Sequence, residues 1–363
     1  MIISEQDAVY MAQALRLAEK GKYTTDPNPR VGCVLVKANK VIAEGWHKKA
    51  GLEHAEVNAL KQTNEAENST AYVTLEPCSH TGRTGPCCDA LILAGVKRVV
   101  VAMQDPNPLV AGRGIHKLQA AGVVVDCGVL QQDAEELNKG FIKRMRTGLP
   151  FVRSKMAMSL DGRTAMASGE SKWITSAESR ADVQKLRAES SAVLTGINTV
   201  LADDPSLNVR LDVEVTPPIR VVLDSKLQMP LHGKMQSLSG DTWILTCSLD
   251  QQKKTALENS GYKVFVLEST AGQLNLSIVM AFLAQKQINN VLVEAGAILN
   301  GALLEADRVD EWVVYMAPCI LGDQGRGLFN LPALQNMADK KQLKMQGVRQ
   351  IGPDLKMIFR VNK

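Results

Sequence analysis

Short apolar runs alternate with longer amphipathic segments along the first 146 residues of the chain. Valine-rich runs predict strands because β-branched side chains favour extended backbone, and apolar residues at helical spacing predict helices. The predicted strands cover 31–36, 71–75, 98–102 and 123–125. The predicted helices cover 5–20, a segment from His54, a segment from Cys87, 114–121, and 131 to about 146. This alternation predicts an α/β domain whose sheet is covered by helices on both faces.

A domain boundary is predicted where the last of these helices ends. The sequence Thr147-Gly148-Leu149-Pro150 breaks the helical pattern, and strand-like alternation resumes at 151–157. The chain has 363 residues and 45% hydrophobic content, which is enough to bury two cores. We therefore predict two α/β domains, 1–147 and 148–363.

Composition and charge limit which binding partners and which cellular compartment are expected. The net charge is only +4, and no basic run interleaves with aromatic residues, so no nucleic-acid partner is expected. The N-terminus lacks the order of a signal peptide, and no apolar run approaches the roughly 18 residues of a membrane span. A cytoplasmic protein is expected, and buried free thiols are the interpretation of Cys33, Cys127, Cys247 and Cys319. The sequence leaves the oligomeric state open and is compatible with a homo-oligomer.

The candidate chemistry lies in His54-Ala55-Glu56, Pro77-Cys78 and Pro86-Cys87. One histidine and two cysteines are three zinc ligands, which leaves a fourth position for a water whose pKa the metal can lower to about 7. We predict that His54, Cys78 and Cys87 bind Zn²⁺ and that Glu56 shuttles protons as the catalytic carboxylate. This pattern is typical of hydrolytic deaminases that release ammonia from a base.

Two alternatives stay open inside this motif. Taken singly, each residue fits an ordinary reduced cysteine or a surface histidine, but the four in this order favour a zinc site. Cys88 is a competing ligand, and Pro86 directly before Cys87 favours Cys87 at the start of a helix, where a thiolate is stabilised. Eight residues separate Cys78 from Cys87, and this polar insertion predicts a substrate-binding loop.

If the second half of the chain binds a dinucleotide, its phosphates must bind at a site other than a Rossmann glycine loop. It contains no Gly-x-Gly-x-x-Gly after a strand, so a Rossmann dinucleotide site is not supported. Residues 291–302 instead predict a strand, a tight glycine turn and a helix. The N-terminus of that helix, at Gly296 and Ala297, is a candidate site for a pyrophosphate.

Longer motifs in both halves resemble the bifunctional deaminase/reductase of riboflavin biosynthesis. In the first half these are 27–34, 45–47, 54–56 and 76–87, where the long spacing between the cysteines matches that family. In the second half they are 154–163, 171–175, 194–210 and 294–296. The resemblance implies an N-terminal cytidine-deaminase-like three-layer domain, a C-terminal dihydrofolate-reductase-like domain, and the cofactors Zn²⁺ and NADPH.

The resemblance also implies two reactions on small-molecule phosphoribosylated pyrimidines. The first is the zinc-dependent deamination of 2,5-diamino-6-(5-phosphoribosylamino)pyrimidin-4(3H)-one to the corresponding uracil. The second is the NADPH-dependent reduction of the ribosyl group to the ribityl side chain. No membrane partner is implied.

Site residues are implied by the same match, position by position. Deaminase substrate contacts are implied at Asn28, His47, His80 and Arg83, although Asn28 between two prolines also fits a plain turn residue. Cofactor contacts are implied at Ala157, Trp173, Thr199, Asp203, Ser225, Gly296, Ala297, Ile298, Leu299, Asn300, Gly301 and Ala302. Reductase substrate contacts are implied at Ser171, Arg187, Leu207, Arg210 and Glu294.

Some points stay undecided at this level. The proton donor of the reduction is one of Lys155, Asp203 and Glu294. Asn198 departs from the threonine-rich stretch of the family beside a predicted cofactor contact. Two other classes also remain: a deaminase of another base whose second domain serves binding or assembly, and a non-catalytic zinc-stabilised scaffold, which would not need Glu56.

Overall fold

The computed structural model describes residues 3–79, 85–108 and 110–361. The chain divides into two compact units, Met1–Gly148 and Leu149–Lys363. Each unit is α/β, so the predicted fold class is confirmed. None of the helices in the described parts of the chain combines the length and apolar character that crossing a bilayer requires.

The first unit alternates strands and helices as its sequence pattern predicts. Its helices are α1 (Glu5–Glu19), α2 (Ala55–Leu60), α3 (Cys87–Leu93), α4 (Arg113–Ala120), α5 (Gln131–Leu137) and α6 (Lys139–Thr147). Its strands are β1 (Gly32–Lys37), β2 (Lys40–Trp46), β3 (Thr70–Val73), β4 (Arg98–Val101) and β5 (Val124–Cys127).

These strands form one sheet in the order β2-β1-β3-β4-β5. Strand β1 is antiparallel to both of its neighbours, whereas β3, β4 and β5 are parallel. Apolar residues of α2, α3 and α4 pack on one face of the sheet, and those of α1, α5 and α6 pack on the other. The predicted three-layer arrangement is confirmed.

Three local predictions differ from the structure. The helix predicted over 131–146 is two helices, because Asn138 leaves the helical conformation and its amide pairs with the backbone N–H and carbonyl of Arg30. Strand β2 was not predicted, since its mixed composition is that of a half-exposed edge strand. Of the four isolated cysteines only Cys33 is buried; Cys127 is exposed at the end of edge strand β5.

The second unit contains the remaining elements in the described residues. Its strands are β6 (Phe151–Ser159), β7 (Arg163–Ala165), β8 (Ala192–Gly196), β9 (Ile219–Leu223), β10 (Thr242–Thr246), β11 (Lys263–Val266), β12 (Ser269–Thr270), β13 (Gln273–Leu274), β14 (Asn290–Val293), β15 (Glu311–Ala317), β16 (Arg326–Gly327), β17 (Leu343–Ile351) and β18 (Asp354–Val361). Its helices are α7 (Ala177–Ala188), α8 (Ile197–Asp203), α9 (Lys234–Ser237), α10 (Gln251–Asn259), α11 (Leu276–Gln285) and α12 (Ala297–Glu305), with a short 3-10 helix at Met337–Asp339.

The main sheet of this unit has the strand order β11-β10-β9-β8-β14-β6-β15-β18-β17. Strands from β11 to β15 pair in parallel, and β18 and β17 add an antiparallel edge. Apolar residues of α11 and α12 pack on one face, and those of α7, α8, α9 and α10 pack on the other. Strand β14 lies between β6 and β8, so the segments that follow these three strands leave the same edge of the sheet.

Close backbone packing at Gly45 positions α2 against β2. A Cβ atom at Gly45 would lie 2.2 Å from the carbonyl oxygen of Ala55 and 2.5 Å from the backbone nitrogen of Ala59. Both atoms belong to α2, the helix that carries Glu56. Only glycine permits this approach, because the obstructing atoms are backbone and cannot rotate away.

We predict that Gly45→Ala destabilises the first unit by about 1–3 kcal/mol, the usual cost of overpacking a core. Hydrogen exchange of peptides spanning 40–60 should accelerate, while exchange in the second unit stays unchanged. Gly347→Ala is the control, since a Cβ atom at Gly347 meets nothing within 4 Å. Unchanged exchange over 40–60 in Gly45→Ala would contradict the packing argument.

Candidate functional site

Three ligand atoms converge in the first unit from three separate elements. His54 is the N-cap of α2, Cys78 follows the end of β3, and Cys87 begins α3 directly after Pro86. The Nδ1 atom of His54 lies 3.6 Å from Sγ of Cys78 and 3.3 Å from Sγ of Cys87. All three ligand atoms lie within 4.8 Å of one another.

The donor set fits a zinc ion. Tetrahedral bonds of about 2.1 Å to nitrogen and 2.3 Å to sulfur place two such ligands about 3.6 Å apart, close to the observed separations. Glu56 lies beside these groups with 3% of its surface exposed, and its Oε2 atom has no hydrogen-bond partner among the described residues. An unpartnered buried carboxylate oxygen is costly unless a ligand or water engages it.

The pKa values of the two thiols are shifted in opposite directions. A hydrogen bond from Cys87 lowers the pKa of Cys78 to about 4, and the backbone N–H of Cys87 also donates to Sγ of Cys78 at 3.3 Å. The pKa of Cys87 is raised because this thiol holds the shared proton and is buried. The hydrogen bond to Cys78 raises the pKa of His54. Of the two thiols, Cys78 is therefore the one that loses its proton more readily.

Glu56 has the electrostatic environment of a proton-transfer group. Burial raises its pKa to about 6, well above that of an exposed glutamate. A carboxyl group that titrates close to neutrality can both accept and return a proton during turnover. Glu56 is the second residue of α2, and its carboxyl group lies close enough to His54, Cys78 and Cys87 to interact with all three.

The alternative ligand Cys88 points away from the three-ligand cluster. Its Sγ atom lies 3.2 Å from the carbonyl oxygen of Pro77 and 3.5 Å from that of Gly114, and both distances fit weak hydrogen bonds from the thiol. Burial raises the pKa of Cys88 to about 12, so this thiol stays protonated. The structure therefore places Cys87 and not Cys88 with His54 and Cys78.

Two predicted substrate contacts, Asn28 and His47, are hydrogen-bonded to each other next to the metal ligands. The His47 Nδ1–H donates to the carbonyl oxygen of Glu53 at 2.9 Å, which leaves Nε2 to accept from the Asn28 amide at 3.1 Å. Burial lowers the pKa of His47, consistent with the neutral ring that this arrangement requires. The rings of His47 and His54 meet edge to face at 5.3 Å. His47 thereby orients Asn28, which also closes a turn through its N–H to Thr25.

The other two predicted deaminase contacts, His80 and Arg83, lie outside the described residues. Their roles stay predictions from the sequence.

In the second unit an ion pair organises the predicted reductase site. Arg187 on α7 donates to both carboxylate oxygens of Glu294, at 2.5 and 2.9 Å, and to the carbonyl oxygen of Asn208 at 2.9 Å. Burial acts to raise the pKa of Glu294, but the charge of Arg187 outweighs it and holds this pKa below its usual value. Burial lowers the pKa of Lys155, which lies close enough to feel the charges of both residues.

The remaining predicted substrate residues of the second unit differ in how exposed their side chains are. The side chain of Arg210 is exposed and donates to the Asn208 side chain at 3.2 Å, whereas Ser171 is half-buried. Leu207 is 3% exposed and packs in the hydrophobic core of the second unit. Its side chain is therefore committed to the core, which leaves its backbone as the part available to a ligand.

Two helices, α8 and α12, begin at the ends of adjacent strands. The N-cap residue of each is a glycine, which has no side chain to cap the helix. Gly196 is the last residue of β8 and the N-cap of α8, and Gly296 follows β14 and is the N-cap of α12; neither has a side-chain cap. A Cβ atom at Gly196 would lie 3.7 Å from Leu299 of α12, so the two helix starts are neighbours. Free backbone N–H groups at paired helix N-termini suit the phosphates of a dinucleotide.

The predicted cofactor residues near these helix starts divide by exposure. Gly296 and Ile298 are exposed, and Leu299 and Ala302 are half-buried. Ala297 is buried, Asn300 is buried with its amide bonded to Ser154 and the carbonyl of Ala295, and Gly301 packs against the backbone of Asn330.

The cofactor residues predicted elsewhere are accessible. Trp173 is 72% exposed and lies under the Arg180 guanidinium at 4.5 Å. Asp203 pairs with Lys172 at 3.1 Å, which ties the Trp173 segment to the end of α8. The hydroxyl of Ser225 accepts from the backbone N–H of Leu274 at 3.2 Å, while Ala157 and Thr199 are half-buried.

One residue that was not predicted from the sequence lies directly before the zinc motif. Glu76 is 6% exposed, and its carboxylate accepts backbone hydrogen bonds from residues 29 to 39 positions further along the chain. Its place beside Pro77 and Cys78 is a signal in the sequence. Its partners could not be read there because they meet it only through the fold.

Two protein-family models match the chain. Residues 4–103 match the cytidine and deoxycytidylate deaminase zinc-binding region, and residues 150–357 match the RibD C-terminal domain. The first match covers all three ligand positions and Glu56, and the second covers the ion pair and both helix starts.

Similar proteins match over nearly the whole chain. The riboflavin biosynthesis protein RibD of Escherichia coli (strain K12) is 51% identical over 96% of this chain and 98% of its own. A solved structure of Acinetobacter baumannii RibD is 45% identical with a TM-score of 0.93, covering 99% of each chain. A Thermotoga maritima diaminohydroxyphosphoribosylaminopyrimidine deaminase/5-amino-6-(5-phosphoribosylamino)uracil reductase is 32% identical with a TM-score of 0.88, covering 98% of this chain and 99% of its own.

We predict that Cys87→Ser lowers the zinc content of the purified chain to less than about one tenth, because an alcohol does not replace a thiolate ligand. Cys88→Ser is the matched control and should retain about one zinc ion per chain, since a serine hydroxyl can also donate to the Pro77 carbonyl. Elemental analysis of both variants decides the assignment. Loss of zinc from Cys88→Ser with retention in Cys87→Ser would reverse it.

Proposed function

The chain belongs to the RibD family of riboflavin biosynthesis proteins, and from that premise we propose that each unit carries out one of two successive reactions. The first unit removes the 2-amino group of 2,5-diamino-6-(5-phosphoribosylamino)pyrimidin-4(3H)-one as ammonia. The second reduces the ribosyl group of the resulting uracil to a ribityl chain with NADPH. The convergence of His54, Cys78 and Cys87 beside the buried carboxyl of Glu56 is the observation that carries the proposal.

For deamination, His54, Cys78 and Cys87 hold the zinc ion, which when bound acts as a Lewis acid that lowers the pKa of water to about 7. Glu56 accepts a proton from the water that attacks the carbon bearing the amino group. It gives this proton to the ring nitrogen, then takes a second proton from the hydroxyl group added to that carbon and delivers it to the departing amine, so that ammonia leaves as the carbonyl forms. Its raised pKa suits both transfers.

Substrate orientation is assigned to polar groups around this centre. Asn28, held by His47, offers an amide to a base edge, because paired donor and acceptor groups read a pyrimidine. His80 and Arg83 offer donors to the phosphate of the substrate. His47 acts on the substrate through Asn28, since both of its ring nitrogens are engaged within the protein.

For the reduction, the N-termini of α8 and α12 would hold the phosphates of NADPH, and the cofactor when bound would supply a hydride for C1 of the opened ribosylamine. We propose that Ala157, Trp173, Thr199, Asp203, Ser225 and the segment 296–302 form the rest of the cofactor site. Asn300 and Gly301 would contribute from the interior, by shaping the turn rather than by contact.

In this second reaction, we assign substrate binding and proton donation to the charged groups beside the helix starts. Arg187 and Arg210 offer guanidinium donors to the sugar phosphate, with Ser171, the backbone of Leu207 and Glu294 completing the site. Arg187 holds Glu294 ionised. Lys155 has a lowered pKa and is therefore better suited than Glu294 to give a proton to the amine nitrogen.

We place the protein in the cytoplasm, with small molecules as its partners. All seven cysteines are free, which fits a reducing compartment. The alternative of a zinc-stabilised scaffold is disfavoured by Glu56, because a structural site gains nothing from an unpartnered buried carboxylate oxygen.

Glu56→Gln should lower the rate of ammonia release by about 10²–10⁴-fold, because the amide cannot shuttle protons. Zinc content should stay near one ion per chain, and NADPH oxidation with the deaminated intermediate should stay at the wild-type rate. The two activities are measured separately on the full chain. Ammonia release at the wild-type rate would refute the role of Glu56.

Gly296→Ala should raise the KM for NADPH about tenfold, equivalent to about 1.4 kcal/mol, because a Cβ atom would occupy space at the phosphate cradle. The substitution fits the protein itself, since no atom lies within 4 Å of the new Cβ. Deamination should not change, and Gly347→Ala serves as the control. An unaltered KM for NADPH would remove α12 from the cofactor site.

A further inference from the structure

The carboxylate of Glu76 is saturated by backbone donors from one distant segment. Its Oε2 atom accepts from the N–H groups of Asp105 at 3.0 Å and Gly112 at 2.9 Å. Its Oε1 atom accepts from Gly114 at 2.8 Å and Ile115 at 3.3 Å. The N–H of Glu76 itself donates to the carbonyl of Met103 at 3.0 Å. One buried side chain thus fixes the backbone at Asp105 and at 112–115, where α4 begins.

This segment contacts the immediate neighbours of both cysteine ligands. A Cβ atom at Gly114 would lie 2.1 Å from the carbonyl oxygen of Pro77, so the two backbones are in close contact. The Cys88 Sγ lies within hydrogen-bonding distance of the carbonyls of Pro77 and Gly114. Pro77 directly precedes Cys78, and Cys88 directly follows Cys87. The segment held by Glu76 therefore supports the backbone at both sulfur ligands.

From this geometry we infer that Glu76 is a positioning residue of the metal centre, which sets the separation of the Cys78 and Cys87 sulfurs through the backbone of 112–115. The inference rests on the proposed zinc site. None of the hydrogen bonds of Glu76 to the described residues reaches His54, Cys78 or Cys87, so it acts on the centre through the backbone that it holds. Without its carboxylate, the thiols would keep their identity but lose the fixed spacing that a tetrahedral ion requires.

The chemistry of glutamine makes it the informative replacement. A glutamine at this position keeps one acceptor oxygen but presents an NH₂ group to backbone N–H donors, so about half of the hydrogen bonds are lost. Glu76→Asp keeps the negative charge and both oxygens but shortens the side chain by one methylene. The aspartate variant should therefore show a smaller defect than the glutamine variant.

Asp7 provides a matched control in the same unit. It is 2% exposed, and its carboxylate accepts from Tyr72 at 2.8 Å and Arg98 at 2.7 Å. None of its described hydrogen-bond partners is a metal ligand or a sequence neighbour of one. Asp7→Asn therefore removes a buried charge and weakens the fold without touching the support of the thiolates.

The experiment loads the full-length wild-type, Glu76→Gln, Glu76→Asp and Asp7→Asn chains with zinc and follows its release to a chelator under native conditions. Parallel samples loaded with Co²⁺ give the thiolate-to-cobalt charge-transfer spectrum. Hydrogen exchange of peptides from α1 and β1 reports that the first unit is folded, and NADPH oxidation reports the same for the second unit. We expect Glu76→Gln to release zinc at least tenfold faster with an altered cobalt spectrum, Glu76→Asp to lie between, and Asp7→Asn to match wild type.

Zinc release and cobalt spectra of Glu76→Gln that match wild type would overturn the inference, even if its unfolding temperature falls. Equal acceleration in Asp7→Asn would overturn it as well, since the effect would then be general destabilisation. Should Glu76→Gln fail to fold, release from Glu76→Asp at the wild-type rate overturns it and faster release supports it. A wild-type chain that takes up no zinc would refute the proposed function itself, and the inference with it.

Discussion

The functional groups of both units depend on the constraint that strands running in one direction end at one edge of a sheet. In the first unit β2 and β3 run the same way on either side of β1, so the segments after Trp46 and Val73 leave together. One carries His54 and the other carries Cys78. In the second unit β8 and β14 end side by side and open into the two glycine-capped helices.

Burial then converts these edges into sites of different chemistry. In the first unit burial raises the pKa of Glu56, whereas the hydrogen bond from Cys87 lowers the pKa of Cys78, and a Cys78 thiolate favours a cation at the cluster. In the second unit the two helix starts present uncapped N–H groups, which favour phosphate. The Arg187–Glu294 pair holds a carboxylate ionised beside Lys155. The same architecture thus serves hydrolysis in one half and hydride transfer in the other.

Residues that take no part in the chemistry fix the positions of the groups that react. Asn28 is oriented by His47, and the backbone around both cysteine ligands is held by the carboxylate of Glu76. Gly45 allows α2 to approach β2 closely enough to place Glu56. His47, Glu76 and Gly45 are assigned no step in either reaction. They fix distances that a metal or a transition state tolerates only within a few tenths of an ångström.

The α/β class and the three-layer first domain were predictable from local sequence, and so were the three candidate ligands that the structure brings together. Hydrophobic periodicity is local, and a His-x-Glu with two Pro-Cys steps is written in the order of the chain. The edge strand β2, the break at Asn138 and the exposure of Cys127 were decided by partners distant in sequence. The choice of Cys87 over Cys88, first favoured by Pro86, was decided by where each thiol points. Only the tertiary structure brought Glu76 to its four backbone donors, because hydrogen bonds across 29 to 39 residues leave no periodic trace in a sequence.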